Sequence, residues 1–143
     1  MGGAIRVAGD QPSTISNSTF EGNDADGEGG AIVADYSADL TVTFSTFATN
    51  GTTTGYAEAL AVGPNAVPTA ATISVAASIV VGNASADSVA CDTVVTSGGY
   101  NREVTTNDCT GWAGTDDQHS ISSALVSDIG DNGGAPATSR EPL

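Results

Sequence analysis

A frame that returns every 27 residues restricts this chain more than any other property of its sequence. It reads apolar, Ser three positions on, apolar two further and Asn three further. One copy holds Ile15, Ser18, Phe20 and Asn23, and the next holds Val42, Ser45, Phe47 and Asn50. A third copy, Val75, Ser78, Val80 and Asn83, follows after a longer interval of 33 residues. Ahead of the first two stands Gly-Gly-Ala-Ile, at Gly2 to Ile5 and at Gly29 to Ile32, with a degraded third form at Ala57-Glu58-Ala59-Leu60. The surplus of the third interval falls on Gly63 to Pro68, whose prolines Pro64 and Pro68 cannot donate to a central ladder, so a loop inserted between strands is expected there.

Short apolar runs at a fixed period, punctuated by Gly and Asn, are the pattern of a solenoid, because no single unit can bury its apolar face without stacking on the next. The expected fold is therefore all-β, a parallel β-helix of about three to four coils, and not an antiparallel sandwich, which needs no equal spacing. In such a stack, residues one period apart lie above each other at the strand spacing of about 4.8 Å. Ile15, Val42 and Val75 should form one interior column and Phe20, Phe47 and Val80 another. Asn23, Asn50 and Asn83 should form a third at a bend, where Asn tolerates left-handed backbone and can bond its neighbour's amide. The Gly pairs mark a corner or a close backbone approach just before Ala4-Ile5 and Ala31-Ile32.

Composition supports strand and turn over helix, since Gly, Thr, Ser, Asn and Asp dominate and helix formers are few. The 143-residue length favours one domain, read as coils over residues 1–90 and a loop-rich segment over 91–143 that caps their C-terminal end. Cys91 and Cys109 form no CxxC pair, and a disulfide tying that segment is expected, hence an oxidising, extracellular setting. Trp112 should pack under the last coil. Against 17 acidic residues the chain carries 3 Arg and no Lys, a formal charge of −14, which leaves no basic stripe for nucleic acid and disfavours anionic membranes. No apolar run is long enough to insert into a bilayer. The N-terminal coil would expose strand edges, so the stack is expected to continue a longer solenoid upstream.

Gly-Gly-Ala-Ile followed by Phe-x-x-Asn, at Gly2 to Ile5 with Phe20 to Asn23 and at Gly29 to Ile32 with Phe47 to Asn50, resembles the repeat of the bacterial polymorphic outer-membrane proteins. These are surface adhesins and autotransporter passengers. Further on, Cys91, Ser97-Gly98-Gly99-Tyr100-Asn101, Cys109, Thr115-Asp116 and the run Asp131 to Thr138 resemble the C-terminal part of bacterial surface proteins with a choice-of-anchor (type Q) domain. The resemblance implies a right-handed parallel β-helix in an exported bacterial protein, attached to the outer membrane or wall through a segment outside these residues. It implies no catalytic residues.

Chemistry-bearing residues are few. His119, the only histidine, sits in a polar stretch and reads as a surface residue rather than a catalytic base. Asp35 and Asp39, or Asp24 and Asp26, could serve as an acid pair, but no cationic set accompanies them to neutralise an acidic polysaccharide. Asn23, Asp24, Asp26 and Glu28 bring four oxygen-bearing side chains around Gly27, a candidate calcium loop that lacks the EF-hand spacing; Asp128 to Asn132 is a weaker one. No other cofactor is expected. Asp35, Tyr36, Asp39 and Tyr56 are candidate glycan contacts if they share a groove. The expected function is a non-catalytic structural or adhesive segment, meeting host or neighbouring-cell glycans or proteins. The alternative is polysaccharide binding or cleavage.

Overall fold

The computed structural model describes residues 2–53, 57–63, 71–82, 89–92, 94–104 and 109–122. Among them there is no helix, and every strand pairing is parallel. The first repeat supplies β1 (Ile5–Ala8), β2 (Pro12–Ser16), β3 (Thr19–Glu21) and β4 (Asp24–Ala25); the second supplies β5 (Ile32–Asp35), β6 (Asp39–Thr43), β7 (Thr46–Ala48) and β8 (Gly51–Thr52). The third holds β9 (Leu60–Val62), β10 (Thr72–Ala76) and β11 (Ile79–Val81), and the chain goes on to β12 (Val95–Gly99), β13 (Arg102–Val104) and β14 (Gln118–Ile121). Equivalent strands of successive repeats pair with one another, giving open sheets ordered β1-β5-β9, β12-β10-β6-β2, β14-β13-β11-β7-β3 and β4-β8. The protein is thus all-β, built of parallel sheets.

Like lies on like because the period sets the register. Ile15 pairs with Val42 and Val42 with Val75; Phe20 pairs with Phe47 and Phe47 with Val80. The two Phe rings stack face to face, 5.0 Å between centroids and 6° from parallel. A third inward column runs Ile5, Ile32, Leu60 and then Cys91 through an isolated bridge. One core cluster joins these columns to Leu40, Ile73 and Val95, and a smaller one holds Val33, Ala57 and Ala61. The first repeat has a neighbour on one side only, and Ile5, Val7 and Ile15 are correspondingly half-buried.

Corners repeat as faithfully as strands. Asn17, Phe44, Ala77, Tyr100 and Asp116 all take left-handed backbone, φ between 49° and 61°, each just before a residue whose side chain closes the turn. Those closing residues form a polar ladder. Ser18 N–H donates to Ser45 Oγ (3.3 Å), Ser45 N–H to Ser78 Oγ (3.1 Å), Ser78 N–H to Asn101 Oδ1 (3.1 Å) and Asn101 N–H to Asp117 Oδ1 (2.9 Å). Each rung thereby satisfies the backbone donor that the turn removes from the sheet. At the next corner Asn23 Nδ2 donates to Asn50 Oδ1 at 2.9 Å, the expected amide contact. The left-handed residues there are Gly22 and Thr49, not the asparagines, whose amides are held by neighbouring backbone instead. Asn83 lies outside the described residues, as do Pro64 to Pro68.

The Gly pairs answer to close approach. A Cβ on Gly30 would lie 2.3 Å from Glu58 O and 2.4 Å from Gly51 O, and one on Gly3 would lie 2.1 Å from Gly30 O. Pairing does not pause at residue 90. β12 pairs with β10 and β13 with β11, so a fourth repeat and a further strand, β14, extend the stack into the stretch read from sequence as cap. The interval there shrinks to 23 residues, and Asn101 replaces the frame's Ser, which hid the repeat. Trp112 is buried in the core cluster with Val95 and both cysteines.

Phe47 is fully buried with a ring on one side and Val80 on the other, whereas Phe20 is at the outer rung. Phe47→Ala is expected to lower unfolding free energy by about 3–5 kcal/mol, and Phe20→Ala by clearly less. Urea unfolding of both variants checks the order.

Candidate functional site

Of the candidate calcium residues, Asn23 is taken up in the asparagine contact, and Asp24 and Asp26 line a cleft of about 410 Å³ together with Gly2, Gly3, Ala25 and Gly27. Glu28 keeps a buried Oε2 without a hydrogen-bond partner, and burial, with the charge of Asp92, raises its pKa. Among the described residues no three Asp, Glu, His or Cys side chains assemble as cation ligands would. The second loop, Asp128 to Asn132, lies outside the described residues.

Three of the candidate glycan contacts lie among the described residues. Asp35, 4% exposed, accepts from Arg6 Nε at 2.7 Å across the β1–β5 pair. Arg6 also lies over the Tyr36 ring, 5.5 Å from its centroid, so Asp35 and Tyr36 jointly hold one guanidinium. Asp39 is exposed at the start of β6, where its Oδ1 accepts from the Thr72 hydroxyl at 2.9 Å. Asp35 is therefore the counter-ion of Arg6 through Oδ2, while its Oδ1 is buried without a hydrogen-bond partner. Tyr56 lies outside the described residues.

The main polar cluster of the interior lies at the C-terminal end. In register, Val80 is followed by Glu103, so a carboxylate occupies the column begun by Phe20 and Phe47 and is 0% exposed. A buried carboxylate is tolerable only when paired and hydrogen-bonded. Here Oε1 accepts from Cys109 N–H at 2.9 Å and Oε2 faces His119 Nδ1 at 2.6 Å. The other ring nitrogen, Nε2, faces the Trp112 carbonyl at 3.0 Å. Both ring nitrogens are thereby engaged, and the imidazolium form donates to both acceptors. Consistently, the hydrogen bond to Glu103 raises the His119 pKa above 6.5, outweighing the opposing effect of burial.

His119 is thus half-buried and bonded at both ring nitrogens, correcting its reading as a surface residue. Sequence reasoning missed Glu103 because the fourth repeat went unrecognised. Aligning Asn101-Arg102-Glu103-Val104 under Ser78-Ile79-Val80-Val81 would have put an acid in the core and called for a cation. Around the pair, Cys91 and Cys109 form the expected disulfide across a separation of 18 residues, tying the bridge at Leu60 to the donor for Glu103. Comparison with protein-family models, curated proteins and solved structures finds no match.

The pH dependence of stability follows. His119, raised in the fold, stabilises fully below about pH 6.5 and loses that contribution as pH climbs through its folded pKa. For Asp117, burial pushes upward but the Ser97 hydroxyl and the N–H groups of Asn101 and Gly114 prevail and hold the pKa below 3.8, so its contribution is lost only on acidification through that lower value. Thermal midpoints should therefore fall on the alkaline side, and His119→Gln should flatten that limb while leaving the acid limb in place. Reduction of the disulfide, or Cys91→Ser with Cys109→Ser, is expected to lower stability by about 3 kcal/mol, checked by urea unfolding with and without reductant.

Proposed function

We propose that the chain is a stretch of right-handed parallel β-helix serving as a non-catalytic, stalk-like or adhesive segment of a bacterial cell-surface or secreted protein. The observation that carries this reading is the polar ladder from Ser18 through Ser45, Ser78 and Asn101 to Asp117, one bond per repeat and in step with parallel strands. A stack that returns to the same corner every repeat while pairing in parallel winds as a helix, and parallel crossovers are right-handed in about 98% of cases. The resemblance of Gly-Gly-Ala-Ile and Phe-x-x-Asn to surface-adhesin repeats supports the same hand and setting, as does a disulfide, which persists in oxidising surroundings. A rigid column presenting repeated outward side chains suits contact and spacing rather than turnover. Partners are surface glycans or proteins, since a charge of −14 repels nucleic acid.

The competing reading, polysaccharide cleavage, needs a free base or an open acid pair; His119 and Asp35 are engaged with internal partners, which leaves Asp24 and Asp26, lining one cleft, as the acids it would use. Incubation of the disulfide-intact protein with neutral and acidic polysaccharides is expected to release no reducing ends or unsaturated sugars above a heat-killed control. Release that tracks the folded protein through purification would replace the stalk with an enzyme.

A further inference from the structure

Residues in the left-handed corner column follow one another rung by rung through backbone bonds. Asn17 N–H donates to Thr43 O, Phe44 N–H to Ala76 O, Ala77 N–H to Gly99 O and Tyr100 N–H to Thr115 O. The column therefore reads Asn17, Phe44, Ala77, Tyr100, Asp116. Asn and Asp are among the residues that left-handed backbone tolerates best, whereas bulky side chains there are strained outliers. Phe44 and Tyr100 nonetheless hold φ of 50° and 61°. They gain little burial in exchange, being 64% and 58% exposed. Neither conformation nor core packing accounts for two aromatic residues at these positions.

From this column we infer that Phe44 and Tyr100 form a two-ring platform for an extended, neutral, β-1,4-linked glycan lying along the stacking direction. The platform rests on the adhesive reading and names its ligand class. Two rungs separate the rings, about 10 Å along the stack, which is roughly one disaccharide step. In a β-1,4 chain alternate sugars turn the same face, so two rings at that interval can each stack on a C–H face while the intervening sugar passes over Ala77. Hydroxyls flank the row: Thr43 Oγ1 lies 3.1 Å from Ser16 Oγ on the exposed side of the same corner. Asn17 and Asp116 are exposed at its two ends and supply further hydrogen-bonding groups. The acidic surface turns away polyanions, which selects neutral chains over uronates.

The test is affinity electrophoresis of the folded, disulfide-intact protein in native gels containing soluble glucomannan or hydroxyethylcellulose, with dextran and polygalacturonate as comparisons. Phe44→Asn and Tyr100→Asn suit left-handed backbone, so both should fold with thermal midpoints equal to or above that of the parent. The parent should be retarded by the β-1,4 glycans and not by dextran. Each single variant should bind about tenfold more weakly, and the double variant should run freely. Failure of every neutral glycan to retard the parent, undiminished retardation of the folded double variant, or retardation by polygalacturonate alone would each overturn the platform. All three leave the non-catalytic stalk standing, because that reading falls only if polysaccharide is cleaved.

Discussion

In-register parallel pairing between successive repeats is the constraint on which the rest of this molecule depends. Once Phe20 is bonded opposite Phe47, and Phe47 opposite Val80, a position is no longer chosen alone: each side chain meets its own counterpart above and below. Apolar residues then add dispersion contact along a column, and serine or asparagine can satisfy a neighbour's amide at every rung. The same rule makes polar residues at corners an asset. Ser45 and Ser78 would be ordinary hydroxyls in isolation, yet in register they accept the backbone N–H groups of Ser18 and Ser45 that a sharp turn removes from the ladder.

The described columns change character along the stack. In the first repeat Ile15 is more exposed than Val42 and Val75 of the same column. Further along, the apolar column gives way to Glu103, His119 and Trp112, bound together and locked by a disulfide. Removing His119 would take one partner from the fully buried Glu103, so the cluster favours one arrangement of β13 and β14. Both ring nitrogens of His119 are engaged within this cluster.

Much of the fold was legible because the period is written in residue types with plain physical preferences. The columns at Ile15 and Phe20, the Gly-Gly approach, the disulfide and the burial of Trp112 all follow from spacing and composition. Sites were far less legible. Asp35 looked like a groove carboxylate until Arg6, 29 residues away, was found beside it. The exposure of Phe44 and Tyr100 is not legible either, since an aromatic residue in a strand-rich chain ordinarily belongs inside, and nothing local marks the corner column as left-handed.

The sequence by itself determined the repeat, and with it the all-β character and the pairing of like with like, because a 27-residue period carries the register wherever the strands run parallel. Only the tertiary structure decided that pairing continues past residue 90, that Glu103 turns inward to meet His119, and that two rings stand exposed on one edge. Those outcomes depend on which side of each corner a residue falls. A one-residue shift at a turn exchanges inside for outside, and the backbone angle that sets it arises from contacts with the neighbouring rung rather than from the residue's own sequence neighbours.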